Sequence, residues 1–269
     1  MLGKLPQEII DRIIDEIALD VSSETRDQIR DVKTLSLLSS KWNHRSRTHL
    51  FHTLELTSNN FSTWCKNVRP GANGPSRFVT YIRYKPSWPK SERKIGPLDS
   101  LARSPSHMSA FTRLRTLHFV EISLQHAGYL TCFRGLATVV RELWFEDCQM
   151  DIAQFISFAR LFTNLERLRL MRPQCPNESK LKHWDMAEPP PLNGKLEFHQ
   201  PTVATSGNIA SFIHELSLLP ANFSTMVFRE RLEIPTVANR LLAASRGTLT
   251  KLTFGHNCEV YFRHRNCDF

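Results

Sequence analysis

The sequence predicts an α/β chain in two parts: a short helical module over residues 1–50, then an irregular α/β solenoid with a parallel sheet over residues 51–269. Three observations carry this. The first is an isoleucine stripe of helical period at the start of the chain. The second is a short apolar strand pattern, L-x-x-L-x-L with loose substitution, that returns eight times. The third is the presence of amphipathic helical stretches between several of those copies.

In the opening stretch LPQEIIDRIIDEI, Pro6 suits the first helical position, where its missing N–H costs nothing. Glu8 lies in the first turn, where the helix dipole favours an anion. Ile9, Ile10, Ile13, Ile14 and Ile17 form one stripe, with Asp11, Arg12, Asp15 and Glu16 on other faces. The polar stretch from Asp20 to Lys33 reads as a loop or weakly helical excursion. A second helical pattern carries Val32, Leu35, Leu38 and Trp42, and a basic segment, HRSRTHLF, ends at Leu50-Phe51. Helices this short need each other and a further partner surface to bury their faces.

The strand pattern starts at residues 51, 79, 114, 140, 165, 193, 223 and 249, in steps of 25 to 35 residues. Its clearest copy is VRELWFEDCQM, with Val140, Leu143, Phe145, Cys148 and Met150. Helical faces follow in DIAQFISFARLFTNL (Ile152, Phe155, Ile156, Ala159, Phe162), TSGNIASFIHELSLL (Ile209, Phe212, Ile213, Leu216) and VANRLLAASRGTL (Val237, Leu241, Leu242), the last stopped by Gly247. Strand, turn and helix at this period stack into a solenoid whose strands form a parallel sheet. Two proline-bearing insertions, Lys85–Arg113 and Pro173–Asn193, interrupt the array. Asn59, Cys148 and Asn257 fall at the position that leucine-rich-repeat patterns give to an Asn or Cys bonding the backbone, so a structural and not a catalytic role is expected for Cys148.

Two resemblances follow from these residues. Leu5-Pro6-x-Glu8-Ile9, then Leu35-x-x-Leu38-Ser39-x-x-Trp42, then Arg47-x-x-Leu50-Phe51 resembles an F-box, over about residues 4–51. Ser39 stands where the family most often has Cys, and the Asp20–Lys33 connection is longer than in short F-boxes. The remainder resembles degenerate leucine-rich repeats, and the whole is similar to fungal F-box proteins that carry them. The resemblance implies docking on a Skp-type adaptor, and through it a cullin, in an SCF ubiquitin ligase. Leu5, Pro6, Ile9, Ile13, Leu38 and Trp42 would then contact or support that interface. Packing the module's own core is the other role open to this stripe, above all for Ile17 and Leu35. The repeat domain would bind a target protein.

In such strands the leucines point inward and alternate residues outward. The outward column reads Glu55, Arg83, His118, Trp144, Arg169, Glu197, Val227, Thr253; its neighbour adds Tyr81, Thr116, Glu142 and Arg167. Arg83, His118, Trp144, Arg167 and Arg169 therefore form a candidate target-binding patch suited to an acidic or phosphorylated segment. A plain solvated face is the alternative.

Composition narrows the function classes. No apolar run approaches the length of a membrane span. The start of the chain carries Asp11, Asp15 and Glu16 instead of a secretory apolar run, so a cytoplasmic or nuclear location with reduced cysteines is expected. The net charge of +9 lies wholly in residues 51–269, because residues 1–50 balance eight Lys/Arg against eight Asp/Glu. A basic surface attracts acidic peptides, phosphates or nucleic acid, or simply aids solubility; without a clustered basic-aromatic module, a nucleic-acid partner is not expected. G-x-S-x-G, P-loop, G-x-G-x-x-G and H-E-x-x-H signatures are missing, so neither catalysis nor a cofactor is expected. His256, Cys258, His264 and Cys267 have no standard zinc spacing and read as part of a terminal capping strand, with no metal. The expected function is a non-catalytic substrate receptor. The alternative is a repeat scaffold whose N-terminal helices only cap the solenoid.

Overall fold

The structure, a computed structural model, describes residues 5–19, 25–57, 60, 63–64, 74–85, 108–124, 132–150, 152–173, 192–199, 216, 221–229, 235–255 and 258–261. Helix α1 spans Gln7–Leu19, with Pro6 just outside its first turn, where the Pro6 carbonyl accepts the Ile10 N–H at 3.3 Å. Ile10 and Ile14 are fully buried with Trp42, and Leu5, Ile13 and Leu35 pack against them. The stripe is thus divided: alternate isoleucines form the core while Ile9 faces out.

Of the two forms expected for the polar segment after α1, a loop or a weak helix, the structure has the helix over its second part. Helix α2 spans Thr25–Ser36 and begins inside that segment. Arg30 pairs with Asp27 at 3.1 Å one turn away, and Val32 is buried. Local charge pairing and one anchored apolar residue suffice once neighbouring helices supply a surface. The apolar pattern from Val32 to Trp42 is not one helix either. The chain turns at Leu37-Leu38, Ser39 is extended, and helix α3 runs Ser40–Leu50. Asp15 ties α1 to α3, accepting from Arg45 Nε and Nη2, both at 2.6 Å, and lying 2.8 Å from His49 Nε2. Hydrogen bonding from Arg45 holds the Asp15 carboxyl below the usual carboxylate range, against the opposing pull of burial.

Three residues after α3 ends, the first strand begins. The strands are β1 Thr53–Thr57, β2 Tyr81–Lys85, β3 Thr116–Val120, β4 Ser123–Leu124, β5 Glu142–Glu146, β6 Gln149–Met150, β7 Arg167–Met171, β8 Leu192–His199, β9 Ala221–Arg229, β10 Lys251–Phe254 and β11 Cys258–Tyr261. Helix α4 (Ile152–Arg160) precedes β7 and helix α5 (Pro235–Ala244) precedes β10. The main sheet runs β1-β2-β3-β5-β7-β8-β9-β10-β11, with the first eight strands parallel and β11 antiparallel to β10. The class is therefore α/β with a parallel sheet whose strands follow chain order. β4 and β6 form a second, two-stranded parallel pair.

The repeat pattern explains this order. Inward residues of successive strands stack into one core: Leu54, Ile82, Leu117, Leu143, Leu168, Leu196, Met226 and Leu252 in one row, and Leu56, Tyr84, Phe119, Phe145, Leu170, Phe198 and Phe228 in the next. Phe119 stacks on Phe145 with centroids 5.4 Å apart, while Phe158 of α4 meets Phe119 and Phe133 edge-on at 5.5 and 5.3 Å. Backbone bonds join the repeats at both strand ends. The carbonyls of His52, Thr80, Arg115 and Arg141 each accept two N–H groups from the following repeat. At the far end Glu121, Asp147 and Arg172 adopt positive φ (54°, 52° and 49°), and each N–H donates to the last carbonyl of the next strand. Left-handed backbone costs a non-glycine residue about 1–2 kcal/mol; repetition at three equivalent turns ties it to that bond.

Cys148 follows the middle of these turns. Its buried thiol lies 3.3 Å from the Glu146 carbonyl and 3.4 Å from that of Phe119, and burial pushes it up to about 12, which leaves no thiolate for chemistry. In the first repeat the neighbouring asparagine does this work: Asn60 accepts the Thr57 N–H at 2.7 Å and donates to the Glu55 carbonyl at 2.9 Å. Asn59 and Asn257 lie outside the described residues, as do most of both insertions, residues 209–213, His256, His264 and Cys267.

Gly194 sits at the register shift between β8 and β9 with φ +95°, and a Cβ there would lie 2.3 Å from the Glu166 carbonyl oxygen. Gly194→Ala should lose on the order of 2–3 kcal/mol from strain plus overlap. A urea midpoint unchanged from the parent would show that β8 can move aside.

Candidate functional site

Strand register brings the predicted outward column together. Glu55, Arg83, His118, Trp144, Arg169, Glu197, Val227 and Thr253 are successive cross-strand partners, and Tyr81, Thr116, Glu142 and Arg167 form the row beside them. Period-two alternation on each strand produces this, because every repeat pins its leucines inward.

An aromatic group occupies the middle of the face. Tyr81 and Trp144 meet edge to face at 5.7 Å, and the His118 ring lies 5.5 Å from Trp144. His118 corrects the sequence expectation: it is 6% exposed, enclosed by those rings, and not free for a target to touch. Burial lowers its imidazole and raises the Tyr81 phenol. Neutral His118 therefore accepts at Nδ1 from the Tyr81 hydroxyl at 2.5 Å and carries its proton on Nε2, 3.2 Å from Glu146 Oε2. The last contact is close enough for attraction but too poorly aligned for a good hydrogen bond.

All three arginines of the patch already have carboxylate partners. Arg83 lies 3.7 Å from Glu55 and 3.9 Å from Glu146, and Arg167 3.4 Å from Glu142. Arg169 bonds Glu197 at 2.7 Å, with its guanidinium carbon 4.4 Å from the Trp144 ring centroid. Glu197, 1% exposed, also meets Lys195 Nζ at 2.6 Å. His199 Nε2, at 3.6 Å, is an electrostatic neighbour beyond hydrogen-bond length. Burial alone would raise the Glu197 carboxyl; His199, Lys195 and Arg169 together overcome that and hold it far below its ordinary range. The face is an ion-pair lattice around an aromatic centre, not a free cationic patch. The outward pattern showed the arginines, and the carboxylates among them were equally readable in it.

The second candidate surface is the edge of the helical module. Pro6 is exposed, Ile9 is 46% exposed and Leu38 49%. Leu5 and Ile13 are partly buried against the module core, and Trp42 is within it. Trp42 therefore supports this edge from beneath and is not a contact residue. Leu37, not singled out from sequence, is the most exposed large apolar residue described, at 85%. The two helix starts are held together by Gln7 Nε2, which donates to the Lys41 carbonyl at 3.0 Å. The helical pattern concealed Leu37; the Leu-Leu-Ser-Ser run, a turn followed by an N-cap residue, was the available signal.

No cluster of metal-ligating side chains occurs among the described residues, and none of their helices is long and apolar enough to cross a membrane. Compared with protein-family models and with curated proteins, the chain matches none.

Proposed function

We propose that this chain is a substrate-receptor subunit of an SCF-type ubiquitin ligase, with an F-box-like module docking on a Skp-type adaptor and a leucine-rich-repeat-like solenoid binding the target. One observation carries the reading. The large apolar residues left exposed among those described, Ile9, Leu19, Ile29, Leu37 and Leu38, all fall within the helical module. Exposed apolar side chains concentrated in one module support an interaction role for it, and Pro6, Ile9 and Leu38 are motif positions of the F-box resemblance. The receptor makes or breaks no bond; it raises the target's effective concentration near a ubiquitin-charged enzyme on the cullin.

The target would meet the sheet face at Trp144, Tyr81 and Arg169. An acidic or phosphorylated segment must compete there with Glu55, Glu142 and Glu197 for the arginines, so the half-buried aromatic pair is the stronger anchor.

The scaffold alternative also has an observation behind it. α3 leads within three residues into β1 and packs on the turn Pro75–Phe78, with His44 and Phe78 edge to face at 5.6 Å. The helices thus cover the first end of the sheet, as a cap would. Titrating a purified Skp-type adaptor into the chain separates the two. Ile9→Asp should keep the fold, because this side chain is outside the module core, and should weaken adaptor binding about 100-fold or more by placing a charge in an apolar contact. Absence of binding by the parent chain would leave the scaffold reading.

A further inference from the structure

Arg83 differs from Arg167, Arg169 and Arg172. Arg169 bonds Glu197 at 2.7 Å, Arg172 bonds Asp147 at 2.7 Å and Glu146 at 3.0 Å, and Arg167 reaches Glu142 at 3.4 Å. Arg83 makes no hydrogen bond among the described residues. Its nearest carboxylate oxygens, on Glu55 and Glu146, are 3.7 and 3.9 Å away, beyond hydrogen-bond length. Its Nε is shut off from solvent without a partner, while the side chain as a whole is 35% exposed. The open end of the guanidinium, Nη1 and Nη2, therefore faces the solvent side of the sheet with its donors uncommitted.

The two carboxylates near it are unequal. Glu146 is 20% exposed, is held by Arg172 at 3.0 Å, and lies 3.2 Å from His118 Nε2. Glu55 is 54% exposed, and its 3.7 Å approach to Arg83 is its one ion pair among the described residues. It stands directly across from Arg83 on β1, the first strand of the sheet. A loose, exposed pair of this kind contributes little, so Glu55 can swing into water at small cost. Two residues before Arg83 on the same side of β2 is the half-buried Tyr81 ring, and its β1 partner is the small, exposed Thr53.

We infer that Arg83 receives a single aspartate or glutamate side chain of the target, and that Glu55 is a stand-in which this carboxylate displaces. The fork of an arginine matches a carboxylate with two parallel N–H donations, which Glu55 does not take up. The exchange is one negative charge for one, so the local balance is kept. A phosphate near its dianionic form would set a second charge against Glu146. It would also gain nothing from Tyr81, whose hydroxyl proton is committed to His118 Nδ1. An apolar neighbour of the incoming carboxylate would pack on the Tyr81 ring. The occupant is thus an unphosphorylated acidic segment. This inference rests on the sheet face being the target surface, and not on adaptor binding.

The test uses the full chain and labelled peptide pools with randomised flanks and one fixed central residue, glutamate, glutamine, phosphoserine or lysine, read by fluorescence polarisation. The glutamate pool should bind roughly tenfold more tightly than the glutamine pool, and the phosphoserine and lysine pools no more tightly than glutamine. Glu55→Gln should bind the glutamate pool several-fold more tightly than the parent, a gain that misfolding does not produce. Arg83→Gln should reduce the glutamate pool to the glutamine level. Arg83→Lys, which keeps the charge but not the fork, should fall between. Binding of a Skp-type adaptor, followed on the same preparations, should be equal across the variants and reports on the ligase reading separately. The assignment is wrong if glutamate binds no better than glutamine, or if phosphoserine binds more tightly than glutamate. It is equally wrong if Arg83→Gln keeps the preference, or if Glu55→Gln brings no gain.

Discussion

Trp42→Ala is expected to unfold the helical module while leaving the sheet folded. The indole is buried against Ile10 and Ile14, and among the described residues these three form the buried cluster of the module, with Leu5, Ile13 and Leu35 around them. Truncating a buried aromatic costs about 3–5 kcal/mol. A cluster this small has no other large side chain to relax into the void. What would remain is the Asp15–Arg45–His49 contact, a partly exposed group worth about 1 kcal/mol or less. The sheet should survive, because its aromatic core is built from residues of the strands, α4 and the segments between them, all outside the module, and His44 of the module touches only its rim, at Phe78 and Arg77 among the described residues. Hydrogen exchange resolves the two: protection should vanish across residues 7–50 and persist in β3, β5 and β7. Retained protection in α1 and α3 would mean the module is not held by Trp42.

The same tryptophan shows how far the sequence could be read. Its burial and its role of joining α3 to α1 follow from spacing, as do the eight parallel strands and the register of the outward column. Those features come from strict periods, 2 on a strand and 3.6 on a helix, repeated until the pattern outweighs any single exception. α2 was legible only as one of two options, loop or weak helix, because its stability is borrowed: it carries few apolar residues and depends on surfaces offered by α1 and α3. The division of the isoleucine stripe into buried Ile10 and Ile14 and exposed Ile9 was not legible either, since a moment gives the direction of a face but not its width.

The outward face was legible in membership but not in state. Pattern places Arg83, His118, Trp144 and Arg169 side by side. It does not show that rings on both sides would close over His118, or that Glu197 would draw in several cations. Both outcomes depend on side-chain reach across strands about 4.8 Å apart, which the alternation rule does not contain.

Glu197 is where the second large effect is expected. It is buried in a face that draws Arg169, Lys195 and, at 3.7 Å, Arg167 toward one carboxylate. Glu197→Gln keeps the shape but removes the charge, leaving those cations to repel one another around an amide that offers them only one oxygen. Loss of one member of a buried pair costs several kcal/mol; with Arg167 and Lys195 each about a third exposed, the expected loss is about 3 kcal/mol after solvent screening. The pH dependence has a definite sign. A carboxyl held far below its ordinary 4.5 in the folded chain binds fewer protons there than when unfolded. Its contribution is therefore complete above that ordinary value and declines as pH falls from it toward the much lower folded value. Chemical denaturation at pH 7 and pH 3 should show the parent losing more stability on acidification than Glu197→Gln loses, so that the gap between the two narrows in acid. A gap that is equally wide at both pH values would mean that Glu197 acts through shape and not through its charge, and the ion-pair lattice would then not be what orders Arg169 over Trp144.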